Sequence, residues 1–364
     1  MRIVKYHHKI YKLNIHDKKR LIENMLNGKI NVIMSGLPGK MATKVAEKVL
    51  EQEDIKLNDF ALTGDIKESK MPLNGRYINL LKPSEHEYYL RTLVDKKEEI
   101  VIVDYTQPDS VHKNAGVYSQ QEIPFIMGTT GGDGKMLESI VRNSMISAVI
   151  SPNMAKPIVA FQEFMRDYSA RKKGSLEGSY LDITESHQST KKDTSGTAKV
   201  MINYFDVLGI PFEKKQIVML RDEKDYIRIE IPEKYFDAHG WHMYRINSKD
   251  SRRPKNLNNL SESFYDFLSM SPVFKGYKEK YNQREGIKDL WRISDDEEGT
   301  VRIGMKYDSV LNSLKMFHIV YGRDVYASGT LDAIRFLNNR VYKDNQRGKV
   351  YSMTNVINDG NGKR

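Results

Sequence analysis

Short apolar runs that end in small polar residues recur along the first half of the chain. Ile30–Met34, Phe60–Thr63, Tyr77–Leu81, Glu99–Asp104, Pro124–Met127 and Ala148–Ile150 read as buried strands. Helical spacing fills several of the gaps, through Val45, Val49 and Leu50 and again across Ser110–Gln120. Strands alternating with helices predict an α/β architecture, a Rossmann-like, doubly wound parallel sheet. The small polar turns then fall at the carboxyl ends of the strands, where such sheets bind ligands.

Beyond Asn153 the pattern changes. A helix over Pro157–Tyr168 leads into strand-like runs at Tyr180–Glu185, Gln216–Leu220, Tyr226–Ile231, His242–Ile246, Val301–Met305 and Met316–Tyr321. A helix over 195–208 lies among them, and Leu331–Leu337 reads as a closing helix. This predicts a second α+β domain on a mixed or antiparallel sheet. The expected division is a polar, basic extension over 1–29 with a short helix at Asp17–Asn27, then a dinucleotide-binding domain over 30–155. A substrate-binding domain follows over 156–325, and 326–364 form a helix returning to the first domain plus a polar tail.

Two stretches carry candidate chemistry. In the first, the strand at Ile30–Met34 runs into Ser35-Gly36-Leu37-Pro38-Gly39-Lys40-Met41 and then a helix. Gly36 would allow the tight turn, and Gly39 would let the backbone approach a pyrophosphate at the helix N-terminus. Asp65, just past the second strand, can take ribose hydroxyls. In the second, His187, Lys191 and Asp193 precede Thr194-Ser195-Gly196-Thr197, after which Val200, Met201, Tyr204, Phe205 and Leu208 recur at helical spacing up to Gly209. Ser or Thr before such a run is a helix N-cap, and the N-terminus it opens is suited to an anion.

Composition narrows the choices. The net charge is +10, but 58 basic residues are interleaved with 48 acidic ones. There is no basic tail or zinc-finger spacing, so small anionic substrates explain the charge and nucleic acid is not expected. The absence of cysteine excludes disulfides and thiolate chemistry, and the nine histidines show no metal-ligand spacing, so no metal is expected. No apolar run approaches the roughly 18 residues needed to span a bilayer. With no apolar leader segment either, a cytoplasmic protein is expected.

Several stretches together resemble one family, dihydrodipicolinate reductase of the diaminopimelate route to lysine. Gly36-Leu37-Pro38-Gly39-Lys40-Met41-Ala42 resembles its Gly-x-x-Gly-Arg/Lys-Met-Gly turn, with Ala42 in place of the last glycine. Asp104-Tyr105-Thr106-Gln107-Pro108, Gly128-Thr129-Thr130-Gly131 and Ser151-Pro152-Asn153-Met154 are similar to three further motifs. Glu185-Ser186-His187-Gln188-Ser189-Thr190-Lys191-Lys192-Asp193, then Ser195-Gly196-Thr197, resembles the most specific one, Glu-x-His-His-x-x-Lys-x-Asp with Pro-Ser-Gly-Thr. Gln188 for the second His, the missing Pro, His239-Gly240-Trp241-His242 and the run from Gly322 to Thr330 are features of the plant-type branch.

The resemblance implies hydride transfer from NADH or NADPH to a small cyclic dicarboxylate, 4-hydroxy-tetrahydrodipicolinate or the dihydropyridine formed from it. It places the cofactor over Gly36, Gly39, Lys40 and Met41, with Asp65, Thr106, Gly128, Thr130, Pro152 and Asn153 along the same side. Lys67 and Lys70 leave the choice of nucleotide open. Lys191 becomes the general acid assisted by His187, and Ser195, Gly196, Thr197 and Arg323 become carboxylate anchors. A homo-oligomer, dimer or tetramer, is also implied. Alternatives are a related reductase acting on another imine or amino acid, and a non-catalytic cofactor-binding homologue.

Residues 251–298 depart from the pattern as an insertion where the branch has a short hairpin turn. Leu257, Leu260, Phe264, Phe267 and Leu268 form an amphipathic segment, followed by an aromatic run through Phe274, Tyr277, Tyr281 and Trp291. These residues are expected to pack on their own sheet or on a neighbouring subunit.

Overall fold

The computed structural model describes residues 29–96, 98–248, 254–274, 278–282, 287–292 and 301–359. The expected helix at Asp17–Asn27, Tyr277 and the side chains of Tyr281 and Trp291 lie outside this description.

Twelve elements run in order from β1 (Ile30–Ser35): α1 (Lys40–Leu50), β2 (Ile55–Leu57), β3 (Phe60–Leu62), β4 (Lys70–Leu73), β5 (Arg76–Leu81), α2 (Pro83–Asp95), β6 (Ile100–Asp104), α3 (Val111–Gln120), β7 (Phe125–Met127), α4 (Gly134–Arg142) and β8 (Ala148–Ile150) complete the set. Strand alternation divides their apolar residues between two cores. Val32 and Met34 of β1 face one, with Val101 and Val103 of β6. Ile33, Ile100 and Ile102 face the other, with Tyr118 and Phe125. A strand buried on both faces suits a parallel sheet covered by helices. The strand ends come into register as Leu62, Ser35, Asp104, Met127 and Ile150. The loops that follow them therefore share one edge. The exception to parallel pairing is β4, antiparallel to β5 through a two-residue turn at Asn74-Gly75, both at positive φ. Asn-Gly is a hairpin signal that the apolar pattern alone passes over.

The chain continues through α5 (Lys156–Arg171), β9 (Ser179–His187), α6 (Gly196–Val207), β10 (Val218–Leu220), α7 (Glu223–Arg228), β11 (His239–Ser248), α8 (Pro254–Met270), β12 (Lys278–Asn282), β13 (Ile287–Arg292), β14 (Val301–Asp308) and β15 (Ser313–Tyr321). It closes with α9 (Asp324–Asn338), β16 (Val350–Tyr351) and α10 (Met353–Asp359). β10, β9, β11, β15, β14, β13 and β12 form a second sheet in that order. It is mixed: β10 runs parallel to β9, and the remaining neighbours pair antiparallel.

One expected strand is a helix. Tyr226–Ile231 falls in and after α7, because Asp222 caps the helix through Lys224 N at 2.9 Å and Glu223 and Asp225 favour its positive end. Glu230 at φ 58° ends the turn. Tyr226, Ile231 and Tyr235 then cover Phe317, Ile319 and Tyr321 on the outer sheet face. Their apolar spacing is real, but it belongs to a helix and turn lying across the strands.

The amphipathic part of 251–298 packs on its own sheet. Leu257, Leu260, Phe264 and Leu268 of α8 are buried, and the Phe264 ring meets Phe161 at 5.7 Å and Phe164 at 5.4 Å. β12 and β13 extend the sheet past β14. α9 then returns to the first sheet, where Leu331, Ile334 and Leu337 join its core. A Cβ at Gly329 would lie 1.8 Å from the Met154 carbonyl oxygen, so helix and loop are in direct backbone contact.

Phe264 is fully buried between two aromatic rings of α5, so Phe264→Ala should leave a cavity and cost about 3–5 kcal/mol of stability. Denaturant titration checks this; a cost below 1 kcal/mol, on the order of a surface change, would mean that α8 is not part of the core.

Candidate active site

At the end of β1 the chain turns through Gly36 at φ 108°, a conformation that disfavours a side chain. Space excludes one as well, since a Cβ would lie 2.5 Å from the Tyr105 carbonyl oxygen. Gly39 is the N-cap of α1; no side chain closes that helix end, and no acidic residue lies in its first turn. A Cβ on Gly39 would sit 2.8 Å from the Gly36 carbonyl oxygen. This bare cradle at a helix N-terminus is what a pyrophosphate needs. A dinucleotide therefore fits these residues.

Beside the turn, the buried Asp104 carboxylate fastens the neighbouring strand ends. One oxygen accepts from Thr106 N at 2.9 Å, Thr106 Oγ1 at 2.7 Å and Thr129 Oγ1 at 3.3 Å. The other accepts from Asn114 Nδ2 at 3.0 Å and from the Tyr118 hydroxyl at 2.8 Å. Burial pushes the Tyr118 hydroxyl well above its ordinary range, and the Asp104 charge adds to this. Gly128 follows β7, with the Tyr105 ring where its side chain would be.

The second sheet carries a polar group of its own. β9 ends in Glu185-Ser186-His187, and β11 lies alongside with Gly240 opposite His187 and His242 opposite Glu185. Glu185 is fully buried. Its carboxylate accepts from Arg221 Nη2 at 2.5 Å and from Ser195 N at 3.1 Å, and His242 Nε2 lies 3.6 Å away. Ser195 caps α6 by accepting from Ala198 N at 3.0 Å, and its hydroxyl also meets His242 Nε2 at 2.8 Å. His187 Nδ1 lies 3.1 Å from the His239 carbonyl oxygen, an acceptor only, so Nδ1 carries the proton. Nε2 is left as a buried lone pair without a partner among the described residues.

Burial alone would raise the Glu185 carboxyl, but His242 and the Arg221 guanidinium outweigh it and hold the group well below the usual carboxylate range. Burial, reinforced by His242, depresses His187 far below 6.5. His242 is lowered by burial against the opposing pull of Glu185, and His318, stacked on it at 4.3 Å, is driven well down by burial and by His242. The histidines are therefore neutral at pH 7. Lys191 Nζ lies 2.6 Å from Asp193 Oδ1, and this contact is the main reason the Asp193 carboxyl is lowered. Glu185, His187 and His242 bring possible ligand atoms within 4.8 Å of one another, but Arg221 already balances the one carboxylate there.

The structure does not treat the sequence-predicted residues on equal terms. Gly36, Gly39, Thr106 and Gly128 line the first-sheet edge. Met41 is half-buried against the core, Thr130 and Pro152 are exposed, and Asn153 Oδ1 accepts from Ala155 N at 2.9 Å. Asp65 is exposed beyond β3. Lys191 is half-buried while Lys192 is exposed. The Ser195 hydroxyl is engaged inside the protein, whereas Gly196 is open, with nothing within 4 Å of a Cβ. Arg323 Nη2 donates to the Asp237 carbonyl at 3.0 Å, and Lys40 Nζ lies 3.6 Å from the Asp237 carboxylate. Sequence reasoning gave no role to Glu185, Arg221, His242 or His318. Alternation along β9 and β11 could have marked Glu185 and His242 as inward-facing; nothing local marks Arg221.

Unfolded, His318 binds a proton near its ordinary value of 6.5; folded, it resists one, because it is buried beside His242 and His187. Unfolding therefore takes up protons, and stability should fall as pH drops below about 6.5. His318→Phe should flatten that acid slope. Melting temperatures across pH 5 to 8 (roughly the histidine range) check this, and an unchanged slope would contradict a neutral buried His318.

Comparison with known proteins bears on the whole chain. The family model for the N-terminus of dihydrodipicolinate reductase matches residues 30–154, and that for its C-terminus matches residues 158–357. The chain is 31% identical over 345 residues to 4-hydroxy-tetrahydrodipicolinate reductase 1, chloroplastic, of Arabidopsis thaliana, covering 93% of this chain and 81% of that protein. It is 30% identical over 331 residues to the probable 4-hydroxy-tetrahydrodipicolinate reductase 2, chloroplastic, of Oryza sativa subsp. japonica, covering 90% and 83%. The solved dipicolinate-bound dihydrodipicolinate reductase from Paenisporosarcina sp. TG-14 aligns with a TM-score of 0.48 and 15% identity, over 90% of this chain and 99% of that one. Matched in both halves by one family's models, and by a plant relative over most of its length, the chain belongs to the dihydrodipicolinate reductase family.

Proposed function

We infer that this protein is an NAD(P)H-dependent oxidoreductase that reduces 4-hydroxy-tetrahydrodipicolinate, or the dihydrodipicolinate formed from it, to tetrahydrodipicolinate. The observation that carries this reading is the presence, in a chain of this family, of two helix N-termini suited to anions. The bare one at Gly39 suits a pyrophosphate, and the one at Ser195 suits a substrate carboxylate. A nicotinamide cofactor, when bound, would supply the hydride.

The chain's own residues bind, orient and hold a proton. Gly36, Gly39, Lys40 and Met41 form the pyrophosphate cradle, with Thr106, Gly128, Thr130, Pro152 and Asn153 on the nicotinamide side. Asp65 offers acceptors to ribose hydroxyls and favours NADH, while Lys67 and Lys70, also exposed, can attract a 2′-phosphate. Comparing the two nucleotides in Asp65→Ala separates these influences. At the other helix, the backbone N–H groups of Gly196 and Thr197 take a substrate carboxylate, and Ser195 holds the helix end in shape rather than spending its hydroxyl on the ligand. Arg323 adds positive charge where Lys40 and Asp237 meet. Lys191 Nζ holds the proton given to the atom that gains electron density. Neutral His187 presents its Nε2 lone pair to orient that exchange, and being uncharged it does not repel the ammonium.

Lys191→Met should lower kcat by about 10²–10⁴-fold while NADH binding, read by fluorescence titration, hardly moves. Lys192→Met should cost little, because that side chain faces solvent. If the Lys192 variant is the crippled one, the acid is misassigned. If the unaltered protein oxidises neither nucleotide with enzymatically generated dihydrodipicolinate, the reaction is not this one.

A further inference from the structure

Arg221 lies between β10 and α7, outside every motif that carries the family resemblance, yet each of its five N–H donors has an acceptor. Nε donates to the Lys191 carbonyl at 2.8 Å. Nη1 donates to the Glu185 carbonyl at 3.3 Å and the Leu220 carbonyl at 3.0 Å. Nη2 donates to Glu185 Oε1 at 2.5 Å and the Asp193 carbonyl at 3.4 Å. Its side chain is only 17% exposed. Glu185, held by this fork, in turn accepts the Ser195 N–H. One guanidinium thus fixes both ends of the 185–195 segment and two carbonyls within it.

We propose that Arg221 is a positioning residue for the reaction, setting the backbone that aims Lys191 and the α6 N-terminus at the same substrate. This rests on the function proposed above. The physical ground is that the 188–194 loop has no strand or helix of its own to hold it. Its internal contacts, Lys191 N to the Gln188 carbonyl at 2.9 Å and Lys191 Nζ to Asp193, move with the loop and cannot anchor it. Anchorage comes from Arg221 and from Glu185 through Ser195, with lesser ties from Thr194 Oγ1 to Met219 Sδ at 3.8 Å and from Lys199 Nζ to Asp193 Oδ2 at 3.8 Å. A planar fork is needed because the acceptors point at it from several directions; lysine's single ammonium can keep the charge beside Glu185 but cannot span Lys191, Asp193 and Leu220. A displacement of about 1 Å of a catalytic group can cost on the order of 10²-fold in rate.

The test uses the full chain and three variants: Arg221→Lys, Arg221→Met and Arg221→Met with Glu185→Gln. Arg221→Lys should keep NADH affinity and most of the melting temperature, yet lose roughly ten- to a hundredfold in kcat/KM. It should also weaken binding of pyridine-2,6-dicarboxylate, measured by calorimetry with NADH present. Arg221→Met strands a buried carboxylate, so its melting temperature should drop; Glu185→Gln in the double variant removes that charge and should restore the melting temperature but not kcat/KM. Turnover and dicarboxylate binding by Arg221→Lys equal to those of the unaltered protein would overturn the proposal. So would recovery of kcat/KM together with stability in the double variant, since Arg221 would then act through folding alone. Unaltered protein that binds the dicarboxylate without oxidising NADH would count against the proposed reaction, and the positioning role is then decided by the binding measurements.

Discussion

A carboxylate with no access to water must be paired inside the protein, and Glu185 on β9 is such a group. Its partners come from three directions: Arg221 from the turn after β10, Ser195 N from the start of α6, and His242 from β11. Satisfying that one charge fixes where α6 begins, where the Lys191 loop runs and which way the His242 ring faces. The same charge shapes the protonation around it. With Arg221 balancing Glu185 and burial disfavouring further charge, His187 and His242 remain neutral.

The first sheet uses a second buried carboxylate differently. Among the described residues Asp104 accepts from the neutral donors Thr106, Asn114, Tyr118 and Thr129, so it joins strand ends without an ion pair. At the proposed Gly36–Gly39 cradle a phosphate would be met by backbone N–H groups and the helix dipole.

Between the two sheets, α9 is the connecting member. Thr330 meets the Tyr105 hydroxyl at 2.6 Å, Gly329 abuts Met154, and Asp324 lies 3.7 Å from Lys44 and 3.5 Å from Lys48 on α1. The helix leaves the second sheet directly after β15 and buries its apolar face in the first. The two sheets are thereby tied together by packed secondary structure.

Local chemistry was legible in the sequence wherever it repeats or punctuates. Short apolar runs bounded by small polar residues gave six of the parallel strands nearly to their ends, though not β2 or β16, Gly36 and Gly39 marked the turn, and Ser195 marked the α6 cap, because each is decided by a few neighbouring residues. Tyr226–Ile231 was misread as a strand, since a short apolar run has no period long enough to separate strand from helix, and the Asp222 cap decided it. Membership of the family followed from motifs alone. What only the tertiary structure decided was partnership: that Ser195 spends its hydroxyl on α6 and His242, that Arg323 turns to Asp237, and that Arg221 reaches back 30 residues to Lys191. A buried charge or donor is satisfied by whatever the fold brings within about 3 Å, and sequence distance does not encode that proximity.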